Sequence, residues 1–269
     1  MQKRFFSLLL CALTPIFCAC ATPIQRQNTN ERITIIAPSE KTTDIWDTEK
    51  TDISKVDKSK KLVAFTFDDS PAKCLEELVA VFISFNEQNP DCTANATLFC
   101  NGVRINERTK SALELAVSTG FELGNHTFSH ADLTTLSAQE IDEELNKADT
   151  LLQKFDQRPL HLLRAPYGKT NDLVKERAKT PVINWTVDTL DWTGRPADKI
   201  YQTVLSKVYS GAIVLFHDGY FETVSAVKRL LPALKEQGYQ VVSVSQLCKA
   251  HNCPLKKGSV YIRARKKSG

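Results

Sequence analysis

Two adjacent carboxylates, Asp68 and Asp69, follow the apolar stretch Leu-Val-Ala-Phe-Thr-Phe that begins at Leu62. Where a chain leaves a buried strand, consecutive side chains can enter one cavity. There, one carboxylate could bind a cation while the other moves a proton. The alternative is that both carboxylates only cap a helix that begins near Ala72. The pair alone leaves these two interpretations equally open.

Two histidines four residues apart, His126 and His130, lie in the stretch Asn-His-Thr-Phe-Ser-His. Imidazoles at this spacing can share one face of a helical turn and bind one metal ion, although an ordinary histidine pair is more often a surface feature. Together with Asp69 they offer three protein ligands, namely two histidines and one carboxylate. A closed structural zinc site would need a fourth protein ligand. The set predicts a metal site with positions open for water and a substrate oxygen.

Three further polar groups follow apolar stretches later in the chain. Arg164 precedes Ala-Pro-Tyr-Gly, Asp188 and Asp191 precede Trp192, and His217 follows Val-Leu-Phe. Each has a plainer interpretation, namely a surface ion pair for the arginine, core packing for the tryptophan and helix capping for the histidine. Beside a cleft, however, Trp192 could stack on a sugar ring.

The pattern of strands and helices places all these groups on one side of a sheet. Apolar stretches rich in β-favouring residues predict seven strands, at 62–67, 96–101, 121–127, 162–165, 182–188, 212–216 and 240–244. Helices are predicted between them at 75–85, 107–118, 137–155, 172–179, 197–209 and 223–236. This alternation favours an α/β fold with a parallel sheet, as a closed barrel or an open doubly wound sheet. Both architectures build active sites past the carboxyl ends of their strands.

Composition is ordinary for a globular protein. The 269 residues allow one large α/β domain or two small ones. Hydrophobic residues make up 42% and charged residues 25% of the chain. The net charge of +4 is spread along the chain apart from its C-terminal end, which argues against a nucleic-acid partner. No glycine-rich phosphate loop follows a predicted strand, so the fingerprint of dinucleotide binding is missing from the sequence.

The first residues have the order of a secretory signal. Lys3 and Arg4 precede the apolar run Phe5–Phe17, which is too short to span a bilayer, and small residues follow. The signal could be processed in two ways. It could be cleaved before Thr22 in the ordinary manner, or Cys20 could be lipidated as in a bacterial lipoprotein. Either outcome predicts an exported protein, located in the periplasm or cell envelope or secreted.

Composition divides the chain into four parts. Residues 1–21 form the signal, and residues 22–60 are predicted to be a flexible polar linker with a short strand at 33–37. The catalytic domain is expected at 61–250. The basic stretch 251–269 is expected to be a solvated tail.

Five cysteines lie beyond the signal. In an oxidising compartment, Cys74 with Cys92 and Cys248 with Cys253 could form disulfides, whereas Cys100 lies within a strand and is expected to be buried. Because the count is odd, at least one thiol has no intrachain partner.

Five stretches in order resemble the motifs of the polysaccharide deacetylases, carbohydrate esterase family 4. They are Thr66-Phe-Asp-Asp, His126-Thr-Phe-Ser-His, Arg164-Ala-Pro-Tyr, Asp191-Trp and Leu215-Phe-His. The resemblance covers about residues 62–247. The main departure is Ser70, where the family usually has glycine.

This resemblance implies a distorted (β/α) barrel of seven or eight strands. It also implies a divalent metal held by Asp69, His126 and His130, with zinc as the expected ion and cobalt or manganese as alternatives. The enzyme would be a hydrolase that removes acetyl groups from a polysaccharide.

The same resemblance assigns roles to the other motif residues. Asp68 would be the general base, held by Arg164, and His217 the general acid, held by Asp191. The backbone N–H of Tyr167 would donate to the oxyanion. The implied substrate-binding residues are Pro166, Tyr167, Trp192 and Leu215.

The expected activity is N-deacetylation of N-acetylhexosamines in a polymer by a monomeric enzyme. Peptidoglycan is the first choice of substrate, and chitin-like oligomers or an exopolysaccharide are alternatives. An O-acetyl xylan esterase would use the same site. A glycan-binding protein that has lost catalysis would lack Asp68 or His217, and both residues are present.

Overall fold

The computed structural model describes Trp46, Thr48 and residues 50–265. The signal, Cys20 and the predicted strand at 33–37 lie outside these residues. The described strands are β1 (Lys61–Ser70), β2 (Thr97–Cys100), β3 (Glu122–Asn125), β4 (Leu162–Leu163), β5 (Val182–Ile183), β6 (Val187–Asp188), β7 (Ile213–His217), β8 (Tyr239–Val242) and β9 (Val260–Tyr261). The described α-helices are α1 (Leu75–Gln88), α2 (Lys110–Ser118), α3 (Ala138–Asp156), α4 (Asp172–Arg177), α5 (Ala197–Lys207), α6 (Phe221–Glu236) and α7 (Val244–Ala250).

The strands form one parallel sheet in the order β6-β7-β1-β2-β3-β4-β5-β9, with β8 paired to the start of β1. Only residues 184–186 separate β5 from β6, although six strand spacings lie between them in the sheet. A flat sheet would place those two strands about 29 Å apart, whereas the chain from Ile183 to Val187 spans at most about 15 Å. The sheet therefore curls into a distorted (β/α) barrel, which decides against the open sheet.

β1 runs through the centre of the fold and is buried on both faces. Val63, Phe65 and Phe67 pack with residues of α1 and α6 in the largest apolar cluster. Leu62 and Ala64 belong to a second cluster, which includes residues of β4, β5 and β7. Because successive side chains of a strand alternate between faces, Thr66 and Asp68 share the second face.

The sequence misses the division of one predicted strand and the presence of one short helix. The strand predicted at 182–188 is divided into β5 and β6, which pair with β4 and β7, respectively. The short helix α7 follows β8 directly and begins with a capping box at Ser243 and Gln246. The capping box predicted for α3 is confirmed, since Ser137 and Glu140 bond each other's backbone N–H groups.

The segments on either side of the predicted catalytic domain are folded onto it. Trp46 is partly buried against the second apolar cluster, and Gln240 bonds the backbone of Lys55 and Asp57. On the C-terminal side Leu255 is fully buried, and β9 pairs with β5. Up to residue 265, the stretch predicted as a solvated tail is therefore part of the fold, because its apolar residues complete the core.

The five cysteines beyond the signal are all free thiols. Cys100 is buried within β2, as its position in a strand predicts. Cys74 and Cys92 are also buried, and neither is joined to the other. Among the described helices, none combines the length and the apolar character that crossing a membrane requires.

Candidate active site

Asp68 is held inside the barrel by a buried arginine. The Arg164 guanidinium donates from Nη1 to Asp68 Oδ1 and to Thr66 Oγ1, both at 2.7 Å. Its Nε donates to the carbonyl of Ile183 at 2.8 Å, and its carbon lies 4.1 Å from the centre of the Phe99 ring. Arg164 thus holds the Asp68 carboxylate of β1 close to the end of β5.

The charge state of Asp68 follows from these contacts. Burial alone would raise the pKa of this carboxyl, but the positive charges of Arg164 and His217, together with the hydrogen bond from Arg164, outweigh burial and lower the pKa below its ordinary value. Asp68 is therefore ionised at neutral pH and able to accept a proton.

Asp69, His126 and His130 come together as a candidate metal site. One ligand atom from each lies within 4.8 Å of the others. Asp69 Oδ1 is 3.8 Å from His126 Nε2 and 3.4 Å from His130 Nε2, and it is buried without a hydrogen-bond partner. A carboxylate oxygen with no donor, facing two imidazole nitrogens, fits a divalent cation at this position.

The hydrogen bond on the far side of His126 sets its tautomer. Nδ1 lies 2.7 Å from the carbonyl oxygen of Arg164. Because a carbonyl can only accept, Nδ1 carries the proton and Nε2 has a free lone pair directed at Asp69. Burial, as the largest effect, lowers the pKa of His126 and keeps the ring neutral, as a metal ligand requires.

The two histidines do not share a helical turn, contrary to the geometry that their spacing predicts. Residues 126–130 form an irregular loop after β3, with positive φ at Thr127 and His130. Ser129 donates from its backbone N–H and its hydroxyl to the two carboxylate oxygens of Glu144 in α3, each at 2.8 Å. The conformation of this loop therefore depends on contacts with α3 and not on hydrogen bonds of a helical turn.

Strained backbone is concentrated in the loops around this site. Seven non-glycine residues of the described chain have positive φ, and five of them lie near the carboxyl ends of strands or in the loops that carry site residues. These five are Asp69, Thr127, His130, Tyr167 and Leu190. Such conformations persist only where surrounding contacts over-determine them, and they cluster at functional sites.

His217 ends β7 directly beside Asp68, with which it is in register. Its Nδ1 lies 2.8 Å from Asp191 Oδ1, and its backbone N–H donates to Asp191 Oδ2 at 2.7 Å. Thr223 also donates to Oδ2. Asp191 is 1% exposed, and its Oδ1 also accepts from the backbone N–H of Trp192, so both carboxylate oxygens have protein partners.

The same contacts decide the protonation of His217. Burial disfavours its charge, but the hydrogen bond and charge of Asp191, together with Asp68 and Asp69, raise its pKa to about 9. At neutral pH the ring is therefore an imidazolium that can donate a proton. Asp188, by contrast, bonds the N–H of Leu190 and shapes the loop that leads to Asp191.

The predicted substrate-binding residues lie in different environments. Tyr167 is 62% exposed, and its ring centre is 4.9 Å from that of His130. Its N–H lies in the first turn of a 3-10 segment, where donors lack partners within the turn. Pro166 and Leu215 are buried, whereas Trp192 is 54% exposed in the turn that carries Asp191.

Three supporting residues have no clear signal in the sequence. Arg104 approaches Asp69 to 4.0 Å, Thr223 holds Asp191, and Glu144 holds the loop between the histidines. All three are distant in sequence from the groups they support, and none belongs to a motif. Thr66 could have been found, because it opens the first motif.

Ser70, the departure from the family pattern, has a defined partner. Its hydroxyl donates to Asp218 Oδ2 at 3.0 Å, and the N–H of Ala72 donates to the same oxygen. Burial raises the pKa of Asp218 to about 6. Ser70 therefore anchors the loop after Asp69 to the residue that follows His217.

Fold and site together define an α/β barrel protein with a candidate metal site beside an ionised carboxylate, which is itself in register with an imidazolium. Comparison with known proteins agrees, since the polysaccharide deacetylase family profile matches residues 55–181. Peptidoglycan-N-acetylglucosamine deacetylase of Bacillus cereus is 32% identical over 201 residues, covering 72% of this chain and 91% of the relative. A solved structure described as a T48 deacetylase with substrate superposes with a TM-score of 0.70 at 30% identity, covering 77% of this chain and 99% of the other.

The chain belongs to the polysaccharide deacetylase family. It is also 32% identical over 192 residues to the peptidoglycan-N-acetylmuramic acid deacetylase PdaC of Bacillus subtilis. That match covers 71% of this chain but only 40% of the length of PdaC.

Proposed function

We propose that this protein is an exported, metal-dependent hydrolase that removes N-acetyl groups from N-acetylhexosamine residues of peptidoglycan. One observation carries the proposal. An ionised carboxylate, Asp68, lies in register with a protonated imidazole, His217, and both are next to three residues that fit a divalent metal.

Asp69, His126 and His130 would hold the metal, and zinc is the proposed ion because it favours open sites of this ligand type. When bound, the metal supplies Lewis acidity toward an amide carbonyl and an attacking water.

The protein's own residues supply the proton transfers. Asp68 accepts a proton from the attacking water, and Arg164 keeps that carboxylate oriented and ionised. The N–H of Tyr167 donates to the oxyanion that forms as water adds. His217 donates its proton to the departing amine nitrogen, which is a poor leaving group unless protonated, and Asp191 keeps the ring aligned.

Two observations support the proposed substrate and location. The two peptidoglycan deacetylases described above favour an N-acetylated wall polymer. The order of charged, apolar and small residues over 1–21 favours export to the compartment that contains this polymer. Trp192 and Tyr167 provide exposed aromatic faces on which a sugar ring can stack.

The test is acetate release by the full chain from purified peptidoglycan and from N-acetylglucosamine oligomers. The protein is assayed after chelation and again after zinc is returned. We expect zinc to restore release, and Asp68→Asn to reduce it roughly 10²- to 10⁴-fold while zinc content is unchanged. The control is Asp172→Asn, whose side chain is fully exposed in α4.

Other outcomes would redirect the assignment. Release from acetylated xylan without release from either amide substrate would make the protein an esterase. Glycan binding without release from any of the three substrates would favour a binding protein. Activity that survives complete chelation would contradict the metal-dependent mechanism.

A further inference from the structure

A basic cleft lies beside the candidate active site. It has a volume of about 440 Å³ and is formed by the loop after β1, the start of α1 and residues 103–112. We call it the basic cleft and define it by Lys73, Glu76, Arg104 and Arg108. Three cations thus face one carboxylate, although the whole chain has a net charge of only +4.

The cations of this cleft are poorly neutralised by the protein. Lys73 and Arg108 form no ion pair with any carboxylate in the part of the chain that the structure describes. Arg104 reaches only Asp69, at 4.0 Å, and 45% of its side chain is exposed. Exposed cations that converge on a concave surface attract an anion, and arginine favours carboxylates.

The cleft is connected to the metal ligands. Pro71 lines it and is two residues from Asp69, and Arg104 bridges from the cleft to the Asp69 carboxylate. Apolar side chains border the cations, since Val103 is 53% exposed and the ammonium of Lys73 lies 5.3 Å from the centre of the exposed Phe221 ring. A polymer whose acetamide is at the metal site would therefore continue past this charged surface.

We infer that the basic cleft binds a carboxylate of the polymer, on the sugar whose acetamide is hydrolysed or on its neighbour. This inference rests on the proposed function. It makes the enzyme selective for acidic N-acetylhexosamine chains over neutral ones. Peptidoglycan meets the requirement, because alternate sugars carry a lactyl ether that ends in a carboxylate or a peptide.

The test compares two forms of one muramic-acid-containing oligosaccharide, with its carboxylates free or converted to amides. The amide form keeps nearly the same size and shape but has no charge. We expect kcat/KM for acetate release to be higher for the acid form than for the amide form. The ratio of these two values, acid over amide, should fall toward one in high salt.

Variants of the cleft should move this ratio in opposite directions. Lys73→Gln and Arg108→Gln should each lower it by up to about fivefold, as expected for the loss of one exposed charge pair. Glu76→Gln removes the one carboxylate among the described side chains that line the cleft and should raise the ratio. Lys207→Gln, an exposed lysine at the end of α5, serves as the control and should not change it.

The outcomes separate the two proposals. Equal acetate release from both forms would overturn the basic cleft inference and leave the deacetylase assignment intact. Unequal release that none of the three cleft variants alters would also overturn the inference. No release from either form, with zinc bound, would contradict the proposed function itself.

Discussion

Asp68 and His217 lie side by side on neighbouring strands, yet their surroundings favour opposite proton occupancies. Arg164 lowers the pKa of Asp68, and Asp191 raises that of His217 to about 9. An ionised carboxylate and a protonated imidazole therefore coexist at neutral pH. Two titratable groups whose environments separate their pKa values in this way are typical of acid–base catalysis.

The alkaline side of the pH profile should depend on Asp191. His217 must be protonated to act as an acid, so kcat/KM should fall as the pH rises through its pKa of about 9. A bound divalent cation would counter the charges of Asp68 and Asp69, so the fall lies at or below that pH. In Asp191→Asn the hydrogen bond and charge that raise the pKa are lost, and the fall should move to lower pH by roughly 1–3 units.

The control for this measurement is Asp188→Asn. Asp188 is in the same loop but bonds the N–H of Leu190 instead of the imidazole. Its alkaline fall in kcat/KM should match that of the unaltered enzyme. An unshifted profile in Asp191→Asn would mean that another group titrates.

At the scale of elements, the site residues lie at the carboxyl ends of strands or in the loops that follow them, and neighbouring groups hold them in place. The histidine loop after β3 is the clearest case. Asn101 donates to the carbonyl of His126 at 2.6 Å, and the N–H of Gly102 donates to Thr127. Glu144 of α3 binds Ser129 through both carboxylate oxygens.

Removal of this support should weaken metal binding. Glu144→Ala leaves the three candidate ligands unchanged but frees Ser129, so His126 and His130 lose their fixed separation. We expect zinc affinity to fall about 10- to 100-fold in a chelator competition titration. Glu143→Ala is the matched control, because Glu143 bonds only Gln139 and Lys147 on the surface of the same helix. Equal affinities in the two variants would show that Glu144 does not position the ligands.

At the scale of the whole molecule, the C-terminal segment closes the barrel where its sheet is open. β9 pairs with β5 on one side of the gap. On the other side, Arg263 bridges Ala212, and the N–H of Ala264 donates to the carbonyl of Gly211 just before β7. Residues 260–264 therefore connect β5 with the start of β7 across the gap between β5 and β6, which do not pair with each other.

Two glycines allow this closure to be tested. Gly211 and Gly238 both have positive φ, of 95° and 79°, so alanine strains the backbone at either position. A side chain at Gly211 would also collide with the carbonyl oxygen of Ala264, whereas Gly238 has open space around it. Gly211→Ala should therefore lower the free energy of unfolding by about 1–3 kcal/mol more than Gly238→Ala, measured by urea denaturation. Equal losses would show that the C-terminal segment does not constrain this edge.

Sequence patterns predicted much of the site because the relevant information is local. Apolar stretches located the strands, and in a parallel sheet the residues after each strand gather at one edge. The order of the motifs along the chain was sufficient to propose Asp69, His126 and His130 as one set of metal ligands. The choice between barrel and open sheet, by contrast, depended on the family resemblance.

The remaining features arise from contacts between distant residues, which composition and spacing do not reveal. Arg164 and Asp68 are 96 positions apart, and their ion pair helps to keep the Asp68 carboxyl ionised. The raised pKa of His217 needs Asp191, which is 26 residues away, and a buried setting. The basic stretch at the end of the chain appears solvated by composition, yet its few apolar residues complete the core and close the barrel. Only the tertiary structure decides these features. Each of them depends on which groups, distant in sequence, are brought together in one buried site of low dielectric constant or along one strand edge.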